Sequence, residues 1–333
     1  MKKYCSLLPI AQGGVGIIIQ LIILRELPQI FYGNEFSLGL ILTAWLFWAA
    51  IGSIAGSKII SQTTKPDRIY LLASFLSFLV SAASLSGIRL LRPLLGIMPG
   101  EIIPIPHIIS LSIIIVFPAA CIQGFSFSLL PHIFKKKHLA LSTNRVYVLE
   151  SLGALSACVY AYLIGFVFCD SFENLFIINS VRFLLIFIFY RAQSRKRAGF
   201  SALAFFCLCV ILSVSASRIN AFLHAQSFQP FEITETEESK YGSIVITKQA
   251  RGSLTLFENG IHLFTTDDTL SNENMTQFSL LAHPQPRDIL LLGGGITGSL
   301  SCIFAHPSVE KVTYVELDPE IVETARPYLT QQE

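Results

Sequence analysis

Along the first two-thirds of the chain apolar residues run almost unbroken, and polar residues come in short clusters. The apolar runs fall at about 8–27, 36–60, 69–88, 106–130, 145–168, 172–190 and 199–217, each near the ~20 residues a helix needs to cross a bilayer. This predicts a membrane domain of about seven helices over residues 1–217. The second run contains "AAIGSIAGS", where Gly52 and Gly56 form a small-xxx-small pair that lets helices approach closely. The fourth holds Pro118 and Gly124, which predicts a kink. The sixth is the weakest, because Asn174, Asn179 and Arg182 interrupt it. The opening "MKKYCSLLPIAQGGVGIIIQ" reads as a first span rather than a cleaved signal peptide. No clear small-x-small cleavage site precedes "RELPQ", and more apolar runs follow.

After Ser217 the pattern changes. Residues 218–236 are polar and acidic and read as a connector. A small β-domain with a hairpin and a helix is expected over 237–285. "YGSIVITKQ" alternates and is β-branched, and "SLTLFENGIHLFTT" is two strands around the turn signal Asn259-Gly260. "DDTLSNENMTQFSLLAH" reads as a helix capped by Asp267 or Asp268 and ended by Pro284 and Pro286. Over 286–333, "RDILLLGGG" is a strand entering a glycine turn, "TGSLSCIFAH" a helix, and "VEKVTYVELD" a second strand. Together these predict a partial Rossmann-like nucleotide-binding unit.

Composition sharpens the first expectation. Of 333 residues, 52% are hydrophobic and 14% charged, against about a quarter charged in soluble domains. Mean hydropathy is +0.60. Lipid as solvent accounts for this excess, so the bilayer is an expected partner and the localisation an integral multi-pass cell membrane. The net charge of +2, with no basic run interleaved with aromatics, argues against a nucleic-acid partner. The seven cysteines form no CxxC pair and read as small apolar residues. Neither they nor the seven histidines show metal-ligand spacing, so no metal is expected.

Loop charges set an orientation. Lys58, Lys65 and Arg68, then Lys135, Lys136, Lys137 and Arg145, then Arg191, Arg195, Lys196 and Arg197 mark alternate loops as cytoplasmic, and Lys2 and Lys3 fit an inside N-terminus. The loop with Asp170 and Glu173 would lie outside. If the seventh run crosses, everything after residue 217 lies outside the cytoplasm, and a cytoplasmic ligand would want the reverse. The side therefore stays open. Arg25 and Glu26 at the end of the first run, and Glu150 in the fifth, read as interfacial side chains. A transport path is the sharper alternative, since intramembrane carboxylates are costly.

Gly293, Gly295 and Gly298 spell G-x-G-x-x-G, with Gly294 inside the turn. Glycines permit positive φ and close approach of a ligand to the backbone. A following helix N-terminus offers free amides. An acid about 20 residues on, here Glu316, can accept hydrogen bonds from ribose hydroxyls. Gly293, Gly294, Gly295, Gly298 and Glu316 are the candidate nucleoside-binding residues.

Residues 237–329 resemble the spermidine synthase family, the polyamine aminopropyltransferases. The likeness rests on "EESKYG", "LTLFENG", "DDTLSNE", "AHPQPRDILLLGGGITG" and "HPSVEKVTYVELD", in the family's order and spacing. "LRELPQIFYGNEFSLGLILTAWLFWAAIGS" and "VYVLESLGA" are similar, less specifically, to the membrane region of membrane-fused members. The resemblance implies a multi-span α-helical membrane domain, a small β-domain, and the first half of an α/β Rossmann-like fold of the S-adenosylmethionine methyltransferase type. It implies aminopropyl transfer from decarboxylated S-adenosylmethionine to a diamine such as putrescine. The nucleoside would be a substrate and not a prosthetic group, and a homodimer would be the assembly. Gly293, Gly294 and Gly295 match the turn beside the nucleoside, Glu316 the ribose-holding acid, and Glu273 the last acid of the helix motif.

Departures fall on the amine side. Ile296 stands where the family has the Asp that contacts the donor amine, and Thr297 where it has glycine. Gly242 replaces Gln, and Ser271 and Asn272 replace Tyr and His or Gln. The region of the family's catalytic Asp has no counterpart, so a C-terminally truncated member of doubtful activity is expected, and no catalytic residue is assigned. Three readings follow: an aminopropyltransferase, a binder of S-adenosylmethionine or another nucleoside, and a membrane transporter or scaffold with a remnant nucleoside-binding domain. An NAD-dependent dehydrogenase fits the hairpin prelude less well.

Overall fold

The structure is a computed structural model and describes residues 4–31, 35–136, 143–239, 241–249, 252–266 and 268–328. Lys2, Lys3, Lys137 and Asp267 lie outside the described residues. The chain divides into two units. One comprises residues 1–95 and 102–227, the other residues 96–101 and 228–333.

The first unit is helical. Seven helices are long and apolar enough to cross a membrane: α1 (Leu7–Ile30), α2 (Glu35–Gln62), α3 (Pro66–Arg89), α5 (Ile105–Lys136), α6 (Thr143–Phe168), α7 (Ser171–Ala192) and α8 (Lys196–Val214). Between them lies the short α4 (Leu91–Leu95), and α9 (Ala216–Ser227) follows. The seventh helix thus stops at Val214, not at 217.

The expected connector is also corrected. Residues 218–227 continue α9, which buries Ala216, Asn220, Leu223 and His224, and residues 232–238 form a strand. Polar composition concealed both elements. The α9 helix is amphipathic, and "EITETEE" alternates as an edge strand does.

Glycine sets how closely the helices pack. A Cβ on Gly52 would stand 1.9 Å from the Cys121 carbonyl oxygen, and one on Gly124 2.0 Å from that of Ala49. Gly56 meets the same partner helix at Ser128 and Phe125. Gly13 and Gly153 join α1 to α6 alike, 2.0 Å and 2.1 Å from the Glu150 and Ile10 carbonyl oxygens.

This unit has an apolar core and also a largely apolar exterior. Leu46, Phe47, Ile54, Ile114 and Ile211 are exposed, while Gln12, Ser74, Ser77, Asn174, Asn179 and Arg182 are buried. The residues that weakened the sixth run point inward. Arg182 donates to Gln12 (3.0 Å), Ser74 (3.0 Å) and Ser77 (3.1 Å). Gln12 donates to the Gln123 side chain (2.8 Å), and Gln123 donates to Ser77 (2.8 Å). The resulting ring ties α1, α3, α5 and α7 together. Buried polar groups need such partners.

Ion pairs close the two ends of α3. Asp67 pairs with Arg195, and Tyr190 donates to the Asp67 carbonyl at 2.8 Å. At the other end Arg89 pairs with Glu26 at 2.9 Å, and Ser171 donates to Glu26 at 2.5 Å. Glu26 is therefore a buried partner of α3, pointing into the helical unit. Arg25 lies over the Phe166 ring, 5.2 Å from its centroid. The two pairs are 22 residues apart on α3, about 33 Å at 1.5 Å per residue.

The second unit begins with an antiparallel meander, β1 (Glu232–Glu238), β2 (Ser243–Lys248), β3 (Leu254–Glu258) and β4 (Ile261–Thr265), in that order. Asn259 and Gly260 turn the hairpin with φ of 52° and 76°. Alternation puts Ile244, Ile246, Leu256 and Phe264 on one face, packed with Ile296, Ile321 and Ala325. Val245 and Phe257 pack with Phe228 on the other. Helix α10 (Thr269–Leu281) follows, capped by Asp268, which accepts from the Ser271 amide. Then come β5 (Asp288–Leu292), α11 (Leu300–Phe304), β6 (Lys311–Val315) and α12 (Pro319–Ala325). The β5 and β6 strands form a parallel pair with Leu290, Leu292 and Val315 exposed.

Candidate functional site

Register places the site. Leu292 pairs with Val315, and the Gly293 amide donates to the Val315 carbonyl at 2.9 Å. The glycine turn and Glu316 therefore leave adjacent parallel strands side by side, at the carboxyl ends where open α/β sheets bind ligands.

Each glycine in the turn meets a backbone need. Gly293 and Gly294 take φ of 73° and 72°, and nothing lies within 4 Å of a Cβ placed on either. Their backbone faces open space. Gly298 has φ of 84°, and a Cβ there would meet the Asn272 amide nitrogen at 2.5 Å. Gly295 is needed for approach instead, since its Cβ would stand 2.5 Å from the Tyr314 ring. The expected helix after the turn is interrupted. Gly298 breaks it, and regular α-helix begins only at Leu300. The free amides nearest Gly293 and Gly294 therefore belong to a glycine-bent turn.

Glu316 is half-buried. Its Oε1 accepts from the Leu317 amide at 2.8 Å, and its Oε2 accepts from the Tyr314 hydroxyl. Burial and then the bond to Glu316 push the Tyr314 hydroxyl well up, so it stays a protonated donor. Tyr314 thus covers Gly295 with its ring and orients Glu316 with its hydroxyl. Sequence pattern missed it, because at an alternating strand position it reads as packing.

Glu258, at the end of β3, likewise carries no signal in the sequence pattern. Burial raises its carboxyl first, and the charges of Asp318 and Glu316 raise it further. Asp318 is buried and caps α12, accepting from the Glu320 amide at 3.1 Å.

The amine-side departures have structural explanations. Ile296 is 5% exposed and belongs to the core beneath the β-meander. Thr297 donates to the Gly294 carbonyl at 2.7 Å and so closes the turn. At Gly242 a Cβ would overlap Asn259, whose Oδ1 accepts from the Ser243 amide at 3.1 Å. Ser271 is exposed, whereas Asn272 is buried against Gly298. Glu273 is exposed and is not part of a cavity of about 420 Å³ lined by His262, Thr265, Asp268, Asn272 and Met275. Burial pushes His262 down, and Asp268 is held low by its bonds to Ser271.

Comparison with known proteins bears on this unit. A family model for the spermine/spermidine synthase domain matches residues 269–333. A polyamine aminopropyltransferase of Moorella thermoacetica is 38% identical over 96 residues, covering 28% of this chain and 34% of that protein. One of Shouchella clausii is 32% identical over 114 residues, covering 34% of this chain and 37% of that protein. Polyamine aminopropyltransferase 1 of Bacillus cereus is 30% identical over 115 residues, covering 34% and 38%. The chain spans about a third of the length of these curated relatives.

Proposed function

With the C-terminal part of the chain being spermidine synthase-like, we propose that this is a membrane-anchored member whose C-terminal unit binds the nucleoside of decarboxylated S-adenosylmethionine. The complete family domain would transfer the aminopropyl group to a diamine such as putrescine, activated by a general base. The observation that carries the binding reading is the pairing of Gly293–Gly295 with Glu316 at adjacent strand ends. The turn's open backbone would admit the nucleoside, Glu316 would accept from the ribose hydroxyls, and Tyr314 would hold that carboxylate in place. The fold is read as the opening of a Rossmann-like unit.

The anchoring reading rests on the seven long apolar helices and on the large apolar side chains they expose, while the Arg182, Gln12 and Gln123 side chains are hydrogen-bonded inside, an arrangement suited to lipid. The ~33 Å between the ion pairs on α3 is close to the ~30 Å hydrocarbon thickness. Extraction of the expressed protein from membranes tests this. It should resist alkaline carbonate and dissolve in detergent, and release by carbonate would refute anchoring.

A second reading is favoured by Ile296. With that position committed to the core, the site lacks the acid that would select a cationic aminopropyl donor. It would then bind nucleosides without preferring the decarboxylated form. Parallel titrations of the detergent-solubilised chain with S-adenosylmethionine and its decarboxylated form separate the two. Preference for the decarboxylated form supports the first reading, and equal or reversed affinity the second.

A further inference from the structure

Between the end of α7 and the start of α8 lies a cavity of about 680 Å³, a size typical of ligand pockets. Its chemistry is graded along the helices. Arg191, Lys196 and Arg197 stand at the loop end. Phe187 lies one turn back on α7, and Phe200 and Leu203 lie one and two turns on along α8. The Arg191 stem packs over Gly199, with Cγ and Cδ 3.7 Å from a Cβ placed there. It therefore leans across the hairpin.

Two further facts bear on the occupant. None of the three cations is in an ion pair among the described residues, and the nearby acid, Asp67, pairs with Arg195. Moreover, α8 begins badly for a helix. Arg195 at its N-cap makes no side-chain cap bond, no acid lies in the first turn, and Lys196 and Arg197 occupy that turn. Cations there oppose the helix dipole and leave the first amides open to an anion. The neighbouring α7 shows the contrast, with a full capping box from Asp170 and Glu173.

We propose that this cavity holds a phospholipid with an anionic headgroup, its phosphate on Arg191, Lys196, Arg197 and the α8 amides, and its acyl chains along Phe187, Phe200 and Leu203. A bound phosphate would relieve the uncapped, cation-loaded start of α8. The apolar wall, with Phe200 73% exposed, selects a lipid over free phosphate. Basic pockets at one membrane face are suited to such headgroups. The site rests on the membrane reading and is independent of the nucleoside site.

Native mass spectrometry of the full chain in mild detergent tests it, with phosphatidylglycerol and phosphatidylcholine of matched acyl chains. Phosphatidylglycerol should be retained in preference. Arg191→Gln/Lys196→Gln/Arg197→Gln should weaken it on the order of 100-fold. Phe200→Ala/Leu203→Ala should weaken both lipids while keeping the preference, which guards against a misfolded charge variant. Equal retention of the two lipids, or displacement by millimolar inorganic phosphate, would overturn the proposal. Incorporation into pure phosphatidylcholine vesicles checks the membrane reading by itself. Failure there removes the bilayer and this site with it.

Discussion

The helix-packing glycines of the first unit and Gly293 and Gly294 of the second serve different needs. In the helical unit Gly13, Gly52, Gly124 and Gly153 lie in ordinary helix, and what matters is the missing Cβ, because a neighbouring carbonyl occupies its place. In the C-terminal unit Gly293 and Gly294 have empty space around them, and what matters is positive φ. One use brings backbone to backbone. The other bends backbone away and leaves room for something else. A substitution should therefore damage assembly in the first unit and binding in the second.

The largest effect is expected from Gly124→Val, whose new side chain would enter the Ala49 backbone and force α2 and α5 apart. Overpacking of this kind costs about 1–3 kcal/mol or more. The detergent-solubilised protein should lose several degrees of melting midpoint, and an unchanged midpoint would break the comparison. Gly294→Val should act on the other side of it. A β-branched residue in the left-handed region is strained by about 1–2 kcal/mol. Nucleoside affinity should fall roughly tenfold while the helical unit melts as before.

Tyr314→Phe sharpens the picture of the site. It keeps the ring over Gly295 but removes the hydroxyl from Glu316. Affinity should fall a few-fold, about 1 kcal/mol for one hydrogen bond, with secondary structure by circular dichroism unchanged.

The smallest effect is one of pH. The Glu258 carboxyl is raised by burial and by Asp318 and Glu316, so the folded unit prefers it protonated. That stabilisation is complete below the ordinary glutamate value of ~4.3 and is lost as pH rises through the raised one. Glu258→Gln should flatten the dependence there, read as resistance of the C-terminal unit to proteolysis. A profile parallel to wild type would show that Glu258 does not titrate within this range.

Much of the fold was legible because its signals are local. Seven apolar runs gave seven long helices, Asn259-Gly260 gave the hairpin turn, and the β5–glycine–β6 order gave the parallel pair. What escaped depends on partners far away in sequence. That Glu26 would find Arg89 and that Arg182 would join Gln12 across the bundle could not be read from spacing. Likewise α9 was hidden by polar residues whose buried side shows only once neighbours exist, and β1 by polar residues that reveal a strand only when paired with β2. At the site, Glu316 and the glycines were visible as a motif. Tyr314 appears only when strand register brings β6 beside the glycine turn, and the core role of Ile296 only when the β-meander packs against it.

The central claim is that the β5 and β6 ends form a nucleoside pocket read by Glu316. Its most direct test is calorimetric titration of the full solubilised chain with decarboxylated S-adenosylmethionine, comparing wild type with Glu316→Gln. The account predicts saturable binding that weakens by about 10- to 100-fold in the variant, as expected for hydrogen bonds to a charged carboxylate. Equal affinity of the two proteins, or no saturable binding of either nucleoside form by the wild type, would contradict it.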